Sequence, residues 1–431
     1  MGKTSRERLI LTLNHQDPGR VVMDLGATPI TGININALAR LRDALGLDKH
    51  VLKMNEPLQL LGEIEDDLRK ALGVDVVGVS DDMTLFGFEN TGWKDWTMQS
   101  GLPVLVPGDF NTTIDEKGTT YIYPKGDLTV PPSGMMPKGG YYFDNITRGE
   151  SDFGEDDASA REDFKDDFGL WSDEALRRLE KKVTKLYNDT SYGLIGGGAL
   201  CGFGDFASIP GPGVKCPKGV RDLADFMMAH IIMPEYVTEL FDMQLEVGLK
   251  NARLIYQAVG NKLQAMQISG TDFGVQRGPY MALSAYREFY KPRHKCINDW
   301  IHQNTGWKTF YHSCGSVAAF LPDFYEIGVD ILNPVQTTAA DMDARGLKEN
   351  WGDKFVFWGG GINTQQTLPF GTPEEVYNEA IDRLSIFAPG GGFVFNAVHN
   401  IQGQTPTENL VALFQAIKDY NARQDNGEVR A

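Results

Sequence analysis

The chain has 431 residues, 42% of them hydrophobic and 23% charged, enough for one large core with insertions or for two domains of an ordinary globular protein. Asp and Glu (58) outnumber Lys and Arg (41), and the resulting net charge of −17 argues against a general nucleic-acid or anionic-membrane binder, since both need a positive surface. The 4 cysteines (201, 216, 296 and 314) show no paired spacing and are too few for a disulfide scaffold, so a reducing, cytoplasmic setting is expected. No apolar run is long enough to predict a membrane span, and the charged start Met1 to Arg8 lacks the apolar stretch of a signal peptide.

Residues 4–14 read as a first helix, with Thr4 and Glu7 spaced as a capping box. Val21 to Leu25 follows as a short strand, then an amphipathic helix over 35–45 and a second over Leu58 to Leu72, stopped by Gly73. Val76 to Val79 is a short apolar strand that runs into Ser80, Asp81 and Asp82. Between about 92 and 170 the pattern changes. Trp93 to Trp96, Val104 to Val106 and Thr119 to Tyr123 predict short antiparallel strands, and loop segments fill 131–140. The acidic stretch Glu150 to Asp167 reads as a solvated face. The whole block is expected to be a β-rich, acidic insertion within a single domain, because the earlier rhythm resumes after it.

From residue 172 helix and strand alternate. Helices are predicted over Asp173 to Leu186, Val220 to His230, Glu235 to Val259, Ser284 to Ile301 (with a break at Pro292), Ser316 to Glu326, around Leu347, over Pro373 to Phe387 with Thr372 as N-cap, and over Glu408 to Tyr420. The intervening strands are Tyr192 to Ile195, ending in Gly196 to Gly198, then Leu263 to Ile268, Lys308 to Tyr311, Val329 to Leu332, Phe355 to Trp358 and Gly392 to Asn396. With Val21 and Val76 this makes eight strands separated mostly by helices, the count of a (β/α)₈ TIM-type barrel. A doubly wound sheet is the alternative, but no Gly-x-Gly-x-x-Gly loop opens a helix after the first strand.

Barrel enzymes place their chemistry at the C-terminal ends of the strands. His312 and Cys314 end the fifth strand. They lie two residues apart, so an extended backbone turns both to one side. His399 follows the eighth strand, and an imidazole–thiol–imidazole set with an open fourth position is the pattern of catalytic zinc. A core histidine and a small buried thiol are the alternative readings. Asp81 and Asp82 end the second strand, Asp272 and Gln276 follow the fourth, Asn333 and Gln336 end the sixth, Trp358 ends the seventh and Asn396 the eighth, and these are candidates for substrate binding. Asp272 and the Asp81–Asp82 pair are also plausible loop caps. His294 and Cys296 repeat the His-x-Cys spacing inside a predicted helix, where residues two apart do not face each other, and are read as inert, as are Cys201 and Cys216.

Ser5-Arg-Glu-Arg-Leu9, Asp272-Phe-Gly-Val-Gln276, His312-Ser-Cys-Gly315, Gly359-Gly-Gly-Ile362 and Thr405-Pro-Thr-Glu-Asn-Leu410 together resemble the uroporphyrinogen decarboxylase superfamily. The resemblance implies a (β/α)₈ barrel. The Arg-Gln-Ala-Gly-Arg motif of the decarboxylases is missing, and Leu25-Gly-Ala-Thr-Pro-Ile30 stands in that region. The other branch consists of zinc methyltransferases that work with corrinoid proteins. Its His-x-Cys motif matches His312 and Cys314, and its second Cys aligns with His399 in Val398-His-Asn-Ile-Gln-Gly-Gln-Thr-Pro406. This substitution keeps a metal ligand but removes one thiolate, making the site a stronger Lewis acid.

The resemblance thus implies a methyltransferase with Zn²⁺ on His312, Cys314 and His399, all three in catalytic roles. It would move a methyl group from a small substrate, such as a methoxylated aromatic undergoing O-demethylation, to the cobamide of a partner corrinoid protein. A homo-oligomer is among the expected partners. A metal-free decarboxylase-like lyase using Asp81 or Asp82 is the second reading. A tetrapyrrole carrier is the third, and the chain lacks an Asp-x-His-x-x-Gly cobalt-ligating motif.

Overall fold

The structure is a computed structural model that describes residues 2–149, 158–197, 200 and 203–428. Cys201, Gly198 and the first part of the acidic stretch therefore lie outside the described residues. Eight parallel strands form the central sheet: β1 (Val22–Met23), β2 (Val76–Val79), β3 (Gly193–Gly196), β4 (Ala265–Ser269), β5 (Lys308–His312), β6 (Ile331–Asn333), β7 (Val356–Trp358) and β8 (Phe393–Phe395). Their order around the sheet is β1-β8-β7-β6-β5-β4-β3-β2, so sequence neighbours pair and β8 returns to β1. Asp75 joins the remaining seam between β1 and β2. Its N–H donates to Met23 O at 2.8 Å and its carboxylate accepts from Met23 N at 3.1 Å. With helices between the strands, this is a nearly closed (β/α)₈ barrel, as the strand count predicts.

Alternation along each strand sorts the side chains. Val22, Val76, Ile195, Ala265, Phe310, Ile331, Val356 and Val394 point inward and form one buried apolar cluster. Leu9 and Leu13 of the N-terminal helix (Ser5–Leu13) join this cluster and plug one end of the barrel. The Thr4–Glu7 capping box that starts this helix is formed. Two residues further along five of the strands, on the same inward side, stand Asp24, His312, Asn333, Trp358 and Asn396. A polar layer therefore sits directly on the apolar one, at the end where the strands finish.

Some sequence expectations differ from the structure. The helix expected over Leu58 to Leu72 is confined to Asp66–Leu72. Before it, Glu56 accepts hydrogen bonds from Leu58 N and Gln59 N, Leu60 takes a positive φ of 56°, and Leu61–Gly62 forms a strand. The left-handed backbone at Leu60 and the pairing of Leu61–Gly62 with Leu52–Glu56 take this stretch out of helical geometry. The Ser284 to Ile301 helix is interrupted by a π segment, Tyr286–Tyr290, immediately before Pro292. Pro292 has no N–H to donate to the preceding turn, and the wider turn accommodates it.

In the 92–170 block the predicted strands stand at Lys94–Thr97, Pro103–Val106 and Thr120–Ile122, with three more at Thr112–Ile114, Gly134–Met136 and Asp144–Asn145. One sheet of this block also uses Leu52–Glu56 and Leu61–Gly62, from the β1–β2 connection. Leu52–Glu56 pairs in parallel with Pro103–Val106. The acidic stretch is not simply solvated. Asp167 is 5% exposed and forms an ion pair with Arg221, itself 2% exposed, at 2.6 Å. Among the described residues no helix is long and apolar enough to cross a membrane.

Candidate metal centre at the barrel mouth

His312 is the last residue of β5, and Cys314 lies just beyond it in a tight turn. Gly315 takes a φ of 78°, and a side chain there would overlap the Gly274 backbone. This close approach requires glycine. His399 comes from the segment after β8. One donor atom from each of His312, Cys314 and His399 lies within 4.8 Å of the other two. The two imidazoles meet edge-on, with ring centroids 5.5 Å apart.

Each group has a defined hydrogen-bonding partner or charge state. His312 Nδ1 lies within hydrogen-bond distance of Asn333 Oδ1, at 2.6 Å, and His312 Nε2 lies 3.3 Å from the Cys314 sulfur. Burial lowers the pKa of both imidazoles, that of His399 to about 3. Both are therefore neutral, the form that binds metals. Burial raises the Cys314 thiol well above its ordinary value, reinforced by the carboxylates of Asp272 and Asp205. A cation bound between these groups would reverse that preference and take the thiolate. Two neutral imidazoles and one thiol at this spacing fit a zinc ion and leave a coordination position uncommitted.

The other predicted site residues fall into three groups. Asp272 is at the centre: its Oδ1 accepts from Cys314 N at 2.7 Å and lies 3.9 Å from His312 Nε2. Gln336 Oε1 accepts from Gly315 N at 2.8 Å, while its Nε2 donates to Gln276 Oε1 at 2.6 Å. Both glutamines thus support the turn that carries Cys314. Asn333, Trp358 and Asn396 belong to the buried polar layer, where Trp358 is 0% exposed and its indole donates to Asp24. They are placed to orient the ligands and strand ends rather than to line open space.

Asp81 and Asp82 are engaged locally. Asp81 accepts from Met83 N, and Asp82, with a φ of 62°, pairs with Lys182 at 2.7 Å. His294 is buried among aromatic rings and Cys296 is exposed, so this second His-x-Cys spacing assembles nothing. His302 pairs with Asp330, Lys291 with Asp323 and Glu326, and Arg293 with Asp242.

Sequence reasoning missed two carboxylates. Asp24 is 1% exposed beneath Trp358, and burial raises its pKa to about 6. Its signal was available in the period of two from Val22. Asp205, in the loop after β3, acts electrostatically on Cys314. Burial, with Asp272, raises its pKa to about 7. It lies in the run Gly204-Asp205-Phe206, which carries no spacing signal.

The family description "Uroporphyrinogen decarboxylase (URO-D)" matches residues 218–420, which include His312, Cys314 and His399. That segment of the chain is similar to the uroporphyrinogen decarboxylase family. Curated relatives are uroporphyrinogen decarboxylases from three strains of Coxiella burnetii. Each is 31% identical over 74 residues, which is 17% of this chain. The match spans only 20% of the relatives' own length. A solved methyltransferase from Methanosarcina mazei superposes over 97% of this chain and 99% of its own, with a TM-score of 0.54 and 16% identity. At that identity the superposition shows a shared fold, the (β/α)₈ barrel.

Proposed function

We propose that the chain is a zinc-dependent methyltransferase. It would move a methyl group from a small methylated substrate, such as a methoxylated aromatic, to the cobamide of a partner corrinoid protein. The observation that carries this reading is the convergence of His312, Cys314 and His399 from two strand ends onto one point. The family match over residues 218–420 and the methyltransferase among the structural neighbours support it.

His312, Cys314 and His399 would hold the ion. A zinc ion there supplies Lewis acidity to the donor atom that gives up the methyl group. The chain's own groups fix the geometry. Asp272 and the Gln336–Gln276 pair hold the Cys314 turn, and Asn333 orients His312. Asp205 and Asp272, whose side chain is 47% exposed, bring two carboxyl groups to bear on the Cys314 thiol.

A metal-free lyase is the second reading, favoured by the decarboxylase relatives. Asp82, already paired with Lys182, is poorly placed for it. Metal content separates the two. About one zinc per purified chain, much reduced in His399→Ala, is expected, followed by methyl transfer from a screened donor to cob(I)alamin. No zinc in the wild type, even after it is offered, overturns the proposal. Zinc retained in full by His399→Ala removes His399 from the site.

A further inference from the structure

We infer that Asn333 is a positioning residue that locks His312 in its Nδ1–H tautomer and so presents Nε2 as the ligand atom. The inference deepens the metal reading above and rests on it for its consequence, though the tautomer can be tested alone. Asn333 is 0% exposed at the end of β6, beside His312 at the end of β5 in the sheet register. Its Nδ2 donates to the carbonyl of Trp358 at 2.9 Å, and its Oδ1 faces His312 Nδ1 at 2.6 Å.

A backbone carbonyl can only accept. The side of the amide facing Trp358 must therefore be the NH₂, which leaves the oxygen toward the imidazole. An oxygen there requires a proton on Nδ1, and a neutral imidazole then carries a lone pair on Nε2. Nε2 is the nitrogen that faces the Cys314 sulfur at 3.3 Å. The frame behind the amide is also fixed. The Trp358 side chain is tied to Asp24, and Asn396 Nδ2 donates to Asp24 O at 2.9 Å and Thr31 O at 3.2 Å. A residue chosen only to fill this buried space need not have an acceptor at that point.

The test compares Asn333→Asp with Asn333→Leu in the full chain. Both variants lose the bond to Trp358, so a merely structural role lowers the melting temperature in both and affects zinc alike. Only Asn333→Asp retains an oxygen for Nδ1. Zinc affinity, read by competition with a chromophoric chelator, is expected to fall about 10- to 100-fold in Asn333→Leu. In Asn333→Asp it is expected to stay within about threefold of wild type, since the acceptor that sets the ligand's orientation is kept.

In ¹⁵N-histidine spectra recorded before zinc is added, the His312 signal, assigned by its loss in His312→Gln, is expected as the Nδ1–H tautomer in wild type. In Asn333→Leu it is expected to shift toward a mixture. Equal loss of zinc in both variants, or wild-type affinity in Asn333→Leu, overturns the inference. A wild-type Nε2–H tautomer overturns it independently. Absence of zinc from the wild type would instead remove the metal reading, while the spectra still decide the tautomer.

Discussion

The indole of Trp358 donates to the carboxylate of Asp24 at 2.8 Å, joining β7 to the end of β1 across 334 residues of sequence. The bond passes over β8, which lies between these two strands in the sheet. Asp24 has no cationic partner among the described residues. Its charge is supported by hydrogen bonds, from Trp358, from the Thr31 side chain and from Ala27 N at 3.0 Å.

Burial raises the Asp24 pKa from 3.8 to about 6, opposed by the hydrogen bonds from Trp358, Thr31 and Ala27. A carboxyl raised on folding favours the folded state fully below its unfolded value, and this contribution is lost as pH rises through about 6. Trp358→Phe removes a donor that matters most to the ionised form. The expected cost is about 1.5–3 kcal/mol at pH 7.5 and less at pH 4.5. Urea denaturation of the two proteins at both pH values checks this; equal costs would detach the Asp24 charge from stability.

Zinc binding is expected to release one proton, and that proton belongs to Cys314. His312 and His399 are already neutral because burial lowers their pKa values, whereas the Cys314 thiol is held protonated. Affinity should therefore rise about tenfold per pH unit between roughly pH 6 and 8. Chelator competition across that range gives the slope, and proton uptake by a weak buffer gives the stoichiometry. Cys314→Ser should bind more weakly and with a smaller release, since a buried hydroxyl is a poorer anion than a thiolate.

Asp167→Asn is expected to destabilise the protein by about 3–5 kcal/mol, because it leaves the Arg221 guanidinium buried without its counter-charge. Arg221 also lies 3.9 Å over the Phe164 ring and donates to Asp163 O at 2.8 Å, so it cannot swing out to water without breaking those contacts. Chemical denaturation measures the difference. A loss below about 1 kcal/mol would class the pair with ordinary surface ion pairs.

Much of the barrel was legible because its strands are short apolar runs bounded by glycine and separated by helices of 3.6-residue period. All eight strands fall within two residues of where the pattern puts them. His312 and Cys314 were legible because a strand's period of two is local to the sequence. Asp24 follows the same period from Val22, but its meaning depends on Trp358, which only closure of the sheet brings near. Asp205 lies in a glycine-flanked loop where backbone geometry, not periodicity, sets direction. The Leu58 to Leu72 helix failed for a related reason. Its apolar spacing is helical, but Leu60 takes a left-handed backbone and Leu61–Gly62 pairs with Leu52–Glu56, a partner that spacing alone does not reveal. The acidic stretch misled because a count of charges does not reveal that one of them meets a buried arginine.

The parallel pairing of Leu52–Glu56 with Pro103–Val106 ties together two excursions that leave the barrel at different points in the chain. Neither can be excised cleanly. Cutting out the later one would strip Leu52–Glu56 of a pairing partner and bare a row of amides able to template aggregation. An engineer who wishes to shorten or transplant this cap must therefore treat the β1–β2 and β2–β3 connections as one cassette. A lineage that acquired the cap in stages would have needed the earlier strand to be soluble on its own.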